Sequence, residues 1–169
     1  MKIIYFVIIS ISVSFYACSS IENNNESEAV GSGGWLKGST LEKFDEITNH
    51  LGGFSAAMKE VNYRFGELYW AGIDENWEYA IYQLEHLEEA IEYGITRRPG
   101  RATSSEDFLN TSIPQLQKVL ESKNAENFDH QMKLFIAACN SCHIKEDVEF
   151  IYVVQPESRF SYVRKNPNL

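Results

Sequence analysis

From residue 41 onward, apolar side chains recur at intervals of three and four, the period of a helix with one buried face. Leu41, Phe44, Ile47 and Leu51 form a first short stripe, opened by Ser39 and Glu42 at capping-box spacing and broken by Gly52-Gly53. A second helix, over 54–72, turns Met58, Val61, Phe65 and Leu68 inward. A third, capped by Asp74 or Asn76, runs to about Arg97. It places Trp77, Ile81, Leu84, Leu87 and Ile91 inside and Glu85, Glu88, Glu89 and Glu92 in water, until Pro99-Gly100 stops it. After the polar stretch RATSSED, read as a loop, a shorter helix starts near Pro114 and ends near Lys123. The last helix, 126–145, carries Phe128, Met132, Phe135, Cys139 and Cys142 along one side. Beyond it, EFIYVVQPESRFSYV is β-branched and aromatic, too short and too interrupted by Pro156 to build a sheet.

Four amphipathic helices with short connections, and no alternating strand pattern or internal repeat, predict an all-α fold. The expected architecture over residues 39–169 is an up-down-up-down antiparallel four-helix bundle with a short lead-in helix. The final segment is expected as an extended tail packed over one end of it.

The amino-terminal region follows another pattern. MKIIYFVIISISVSFYA holds one Lys and then an apolar run, the layout of a signal peptide over 1–17. The run closes on Phe15-Tyr16-Ala17-Cys18, which resembles the lipobox of bacterial lipoproteins, with Phe15 where that family usually has Leu. The resemblance implies a lipid on Cys18. Residues 18–38 are polar and without apolar period, so a flexible tether is expected, with a reach of roughly 25 Å. No later segment has the eighteen or more apolar residues of a spanning helix. The expectation is an exported protein, lipid-anchored to a bacterial envelope membrane and facing the periplasm or cell surface. Membrane contact would be through the anchor only.

Charge narrows the partners. The chain has 15 basic and 24 acidic side chains, a net charge of −9, or −10 once Lys2 is removed with the signal. Such a balance argues against nucleic acid and against docking on anionic lipid.

With Cys18 lipidated, the other two of the three cysteines form a pair in the sequence AACNSCHIKED. Cys139, Cys142 and His143 stand at i, i+3 and i+4, on one side of a helix within about one turn. That spacing suits a haem, with two thiols bonded to its vinyl groups and the adjacent imidazole on its iron. A structural zinc site needs four ligands, and no second Cys pair or His-x₃₋₅-His partner is present. A redox disulfide of the thioredoxin type uses a helix N-terminus to lower its thiol pKa, whereas this pair lies near a C-terminus. A chance match is the remaining alternative.

The helical pattern with CxxCH near the end of its last helix resembles the class II c-type cytochromes, the cytochrome c-prime group, over about residues 54–147. The stretch MKEVNYRFGELYWAGIDENWEYAIYQLEHLEEAIE together with CNSCH is also similar to a set of exported cytochromes. The resemblance implies one covalent haem c at Cys139 and Cys142, with His143 as the proximal iron ligand. It leaves the sixth iron position open, since some members are five-coordinate and others use a Met from the first bundle helix. It also leaves room for a homodimer, because related bundles often pair.

Up-down topology brings the start of the first bundle helix and the end of the last to one end, which makes Met58 the candidate sixth ligand. His130 and Met132 lie roughly 20 and 16 Å up the same helix from His143 at 1.5 Å per residue. His86 is near mid-helix, and His50 in the lead-in helix is the remaining competitor. Phe65, Phe135 and Tyr93 are candidate haem-wall side chains. Arg97, Arg98, Arg101, Lys145, Arg159, Arg164 and Lys165 are expected at the haem end, to meet propionates or an acidic redox partner.

The function expected is single-electron transfer between redox proteins of the envelope. The alternative is a five-coordinate haem protein that binds or senses NO or CO. A peroxidase-like enzyme fits less well, since no distal His-Arg pair shares a face. A module whose haem is mainly structural is a further possibility.

Overall fold

The computed structural model describes residues 29–168; the signal segment and Cys18 lie outside them. The chain divides into two units with the boundary between Glu46 and Ile47. In the first, Val30 and Leu36 pair backbone to backbone at 3.0 Å in both directions across a glycine-rich turn. Part of the expected tether is therefore a closed turn. Ser39 N–H donates to Glu42 Oε2 at 2.7 Å, while Glu42 N–H donates to Ser39 Oγ at 3.3 Å, the reciprocal capping box. It opens helix α1 (Thr40–Leu51), which crosses the unit boundary and ends at Gly52 in a left-handed turn with φ +71°.

The second unit is all helical. Helices α2 (Phe54–Ile73), α3 (Trp77–Arg97), α4 (Ala102–Asp107), α5 (Ile113–Glu121) and α6 (Ala125–Lys145) follow in order, and no strand occurs among the described residues. Asn124 caps α6 by accepting from Asn127 N–H at 2.9 Å. The stretch read as a loop is helix instead. From Pro99 to Glu121 the backbone stays helical, passing through a 3₁₀ turn at 99–101 and a π turn at Phe108–Ser112. The cause is Pro114. A proline inside a helix offers no N–H and crowds the carbonyl four residues back. Here the turn widens just before it, so that Ile113 N–H donates to the Phe108 carbonyl five residues earlier.

Four helical rods make the bundle: α2, α3, the 99–121 run and α6. Helix α2 packs on α3, α3 on α5, α5 on α6 and α6 back on α2. Phe65 and Leu68, Leu84 and Leu87, Leu116 and Leu120, and Phe128 and Phe135 meet in one buried core. Gly94 lets α3 lie directly against Ala57 and Phe54 of α2.

Residues 152–166 hold no regular structure, yet they are tied down side chain by side chain. Asn140 binds Val153, Gln155 donates to Tyr69 Oη at 2.6 Å, and Ser161 donates to Glu67 at 3.0 Å. Arg159 grips Asp74 with two bonds of 2.7 Å and lies over the Trp70 ring at 4.9 Å. The final segment thus reaches from the end of α6 to the end of α2, not over one end alone. Arg159, and Lys165 bonded to the Glu75 carbonyl at 3.2 Å, stand far from the cysteines, contrary to the expected grouping of cations.

Candidate functional site

Where α2 begins and α6 ends, the core does not close. A cavity of about 330 Å³ opens there, lined almost wholly by carbon. Its volume is at the low end of the roughly 300–1,000 Å³ of cofactor sites. Cys139, Cys142 and His143 come to it from α6, and Met58 with Phe54, Val61 and Phe65 from α2. Leu87 and Ile91 of α3, Ser105 and Phe108 of the third rod, and Val148, Ile151 and Val153 after α6 complete the wall. Residues 81 positions apart in sequence, Met58 and Cys139, therefore share one surface.

The motif sits on α6 as its spacing requires: positions 139, 142 and 143 fall on the side that also buries Phe135 and Met132. Both cysteines are free thiols and half-buried. Burial, with Cys142 as a second cause, pushes the Cys139 thiol from 9.0 up to about 12. A thiol that resists ionisation is a poor redox nucleophile or zinc ligand. Among the described residues, no three His, Cys, Asp or Glu side chains converge on a point where a bare metal ion could sit.

His143 has one nitrogen committed. Its Nδ1 is 2.6 Å from the Ile151 carbonyl oxygen. A carbonyl only accepts, so Nδ1 carries the proton and Nε2 of the neutral ring keeps its lone pair. This is how imidazoles that bind metals are usually oriented.

Of the candidate sixth ligands, Met58 is the one that reaches the cavity. Met132 is buried in the core, His130 is exposed, and His86 binds Glu89 at 2.7 Å and abuts the Tyr82 ring. His50 is exposed on α1 and does not line the cavity. The wall differs from expectation in two places. Phe135 is fully buried one layer behind the cavity, its ring 4.8 Å from that of Phe108, which takes the expected place. Tyr93 points outward from α3 and is 62% exposed.

At the rim, Arg101 forms an ion pair with Glu146, which also accepts from Ser104. Arg98 lies against Gly53, just before the cavity residue Phe54. Three of the expected cations, Arg97, Arg98 and Arg101, close the adjoining turn between α3 and α4, and Lys145 is exposed in the last turn of α6.

Sequence reasoning missed Phe54, Phe108 and Ser105 as lining residues. Phe54 had a signal, standing one helical turn before Met58 on the same stripe. Ser105 had none, because it falls in RATSSED, read as a loop, and Phe108 lies just past it, in a stretch assigned to no helix. No helix among the described residues is long and apolar enough to cross a membrane. Compared with family models, curated proteins and solved structures, the chain matches none of them.

Proposed function

We propose that this chain is a monohaem c-type cytochrome of the class II type, exported, lipid-anchored through Cys18, and employed to carry single electrons between envelope redox proteins. One observation carries the reading: two thiols and an imidazole from α6 and a thioether from the neighbouring α2 line the same apolar cavity. The rods are read as an up-down-up-down bundle. Contacts at both ends support it, with Phe54 against Gly94 at one and Trp77 against Phe128 at the other.

The residues present fit a porphyrin better than an ion. The lining is apolar, both thiols border it, burial keeps that of Cys139 protonated, and no ion-sized cluster competes among the described residues. A bound haem supplies a one-electron iron couple. Cys139 and Cys142 would hold it by thioether bonds, and His143 would offer Nε2 to the iron. Met58 would offer a thioether from the neighbouring helix, and imidazole with thioether raises reduction potential and shuts out small ligands. Phe65, Phe54 and Phe108 exclude water, which lowers the local dielectric and favours the less charged iron state. Arg101 at the rim is the nearest positive group for a carboxylate of the cofactor, in exchange for Glu146.

The test is to mature the exported chain with haem-attachment machinery and record oxidised and reduced spectra. A covalent haem spectrum that disappears in the Cys139→Ala, Cys142→Ala double variant is expected. A colourless chain with both thiols open to alkylation overturns the reading. Adding CO to the reduced form then separates the two haem functions: indifference fits electron transfer, and prompt binding fits the five-coordinate gas-binding alternative.

A further inference from the structure

Asn140 occupies the first variable position of the CxxCH motif and is 8% exposed. Its amide spends both of its ends on one residue outside the helix. Nδ2 donates to the Val153 carbonyl at 2.9 Å, and Oδ1 accepts from Val153 N–H at 2.8 Å. Such a pair reads donor and acceptor together and so fixes both the place and the direction of the backbone it holds. Two residues earlier, Ile151 gives its carbonyl to His143 Nδ1.

The two contacts are in register. On a helix, positions 140 and 143 are neighbours on one face. On the segment after α6 the two contacts are only two residues apart, the Ile151 carbonyl on His143 and both backbone groups of Val153 on Asn140. Holding Val153 at Asn140 therefore aims the Ile151 carbonyl at His143. The near side of this loop is closed by its own backbone, with Val148 N–H on the His143 carbonyl at 3.0 Å and Ile151 N–H on the Val148 carbonyl at 2.8 Å. Beyond Ile151, it is the Asn140 pair that ties the segment to α6.

We propose that Asn140 is a positioning residue for His143: by clamping Val153 it keeps the Ile151 carbonyl on Nδ1, which sets the ring's orientation and leaves Nε2 as the binding nitrogen. This rests on the reading of His143 as the iron ligand. A carbonyl that accepts from one imidazole nitrogen raises the basicity of the other. A more basic ligand favours oxidised iron, so the clamp holds the reduction potential down.

In the full chain carrying its haem, Asn140→Ala is expected to favour reduced iron by about tenfold, a rise of 59 mV for one electron. Val153→Pro removes the N–H on the other side of the pair, leaves the Val153 carbonyl on Asn140 Nδ2, and should shift the potential in the same direction but by less, without touching the motif. Asn140→Asp keeps the acceptor for Val153 N–H, loses the donor, and should shift less. Potentials unchanged in both Asn140→Ala and Val153→Pro, at undiminished helical circular dichroism, overturn the proposal. Should Asn140→Ala not fold, an Asn140→Asp potential equal to that of the parent chain does so. If the isolated chain carries no haem, the cytochrome reading falls separately, and ring-nitrogen NMR of His143 decides the clamp. A protonated Nδ1 that becomes a tautomer mixture in Asn140→Ala supports it, and the same spectrum in both chains overturns it.

Discussion

Where α2 ends and α6 begins, Gly72 lies flat against the Phe128 ring, and any Cβ there would collide with it. Trp77 meets the same ring edge-on at 6.0 Å, and the Arg159–Asp74 pair closes the outside. Where α2 begins and α6 ends, the same two helices leave about 330 Å³ open. Large side chains stand at both ends, but at the closed one Gly72 seats the Phe128 ring directly on α2, with Trp77 against its edge, whereas at the open one Phe54, Met58 and Phe108 border the space without filling it. One end is therefore closed by packing, and the other holds two thiols, an imidazole and a thioether around open space.

That division is easiest to break at Phe128. Phe128→Ala empties a site that is 1% exposed and should cost about 3–5 kcal/mol, read by chemical unfolding. A loss well under this range would mean that the closed end is not the fold's anchor. At the open end, Met58→Ala removes a half-buried side chain already bordering empty space. Without haem it should cost about 1–2 kcal/mol, below the usual range for a buried Met because the site lacks tight neighbours. With haem the same substitution should turn a six-coordinate spectrum into a five-coordinate one; an unchanged spectrum removes Met58 from the iron.

The smallest effect concerns pH. Tyr79 donates to Glu67 at 2.8 Å, and burial, followed by that carboxylate, pushes its phenol from 10.0 up to about 12. A group whose pKa is raised on folding stabilises the fold below its unfolded value and loses that support as pH climbs towards the folded one. Stability should therefore be flat below pH 10 on this account and decline between about 10 and 12. In Tyr79→Phe that part of the decline should be missing from pH-dependent unfolding curves; an identical slope would show that the phenol does not contribute.

Much of the helical layout was legible because period and punctuation agree. The capping box at Ser39, the breaks at Gly52 and Pro99, and the stripes of α2, α3 and α6 all speak locally. The RATSSED segment misled for a physical reason. Its helix is held by the neighbouring rods and not by an apolar stripe of its own, and Ser105 is buried at 2% despite its polarity. Phe108, in the π turn that follows that helix, was assigned to no element, which left Phe135 to be named for a place one layer too deep. The motif itself could be read from spacing alone. The hold of Ile151 on His143 could not, since a backbone carbonyl has no signature in side-chain identity, and nothing in FIYVVQ announces which of its carbonyls will meet a ring.

Because Val148, Ile151 and Val153 come after His143 in the chain, the pocket's last wall is also the last to be synthesised. The cover over both sulfurs is thus one short segment continuous with the end of α6, so a single chain cut between Asp147 and Val148 would free the roof and leave the motif on its helix.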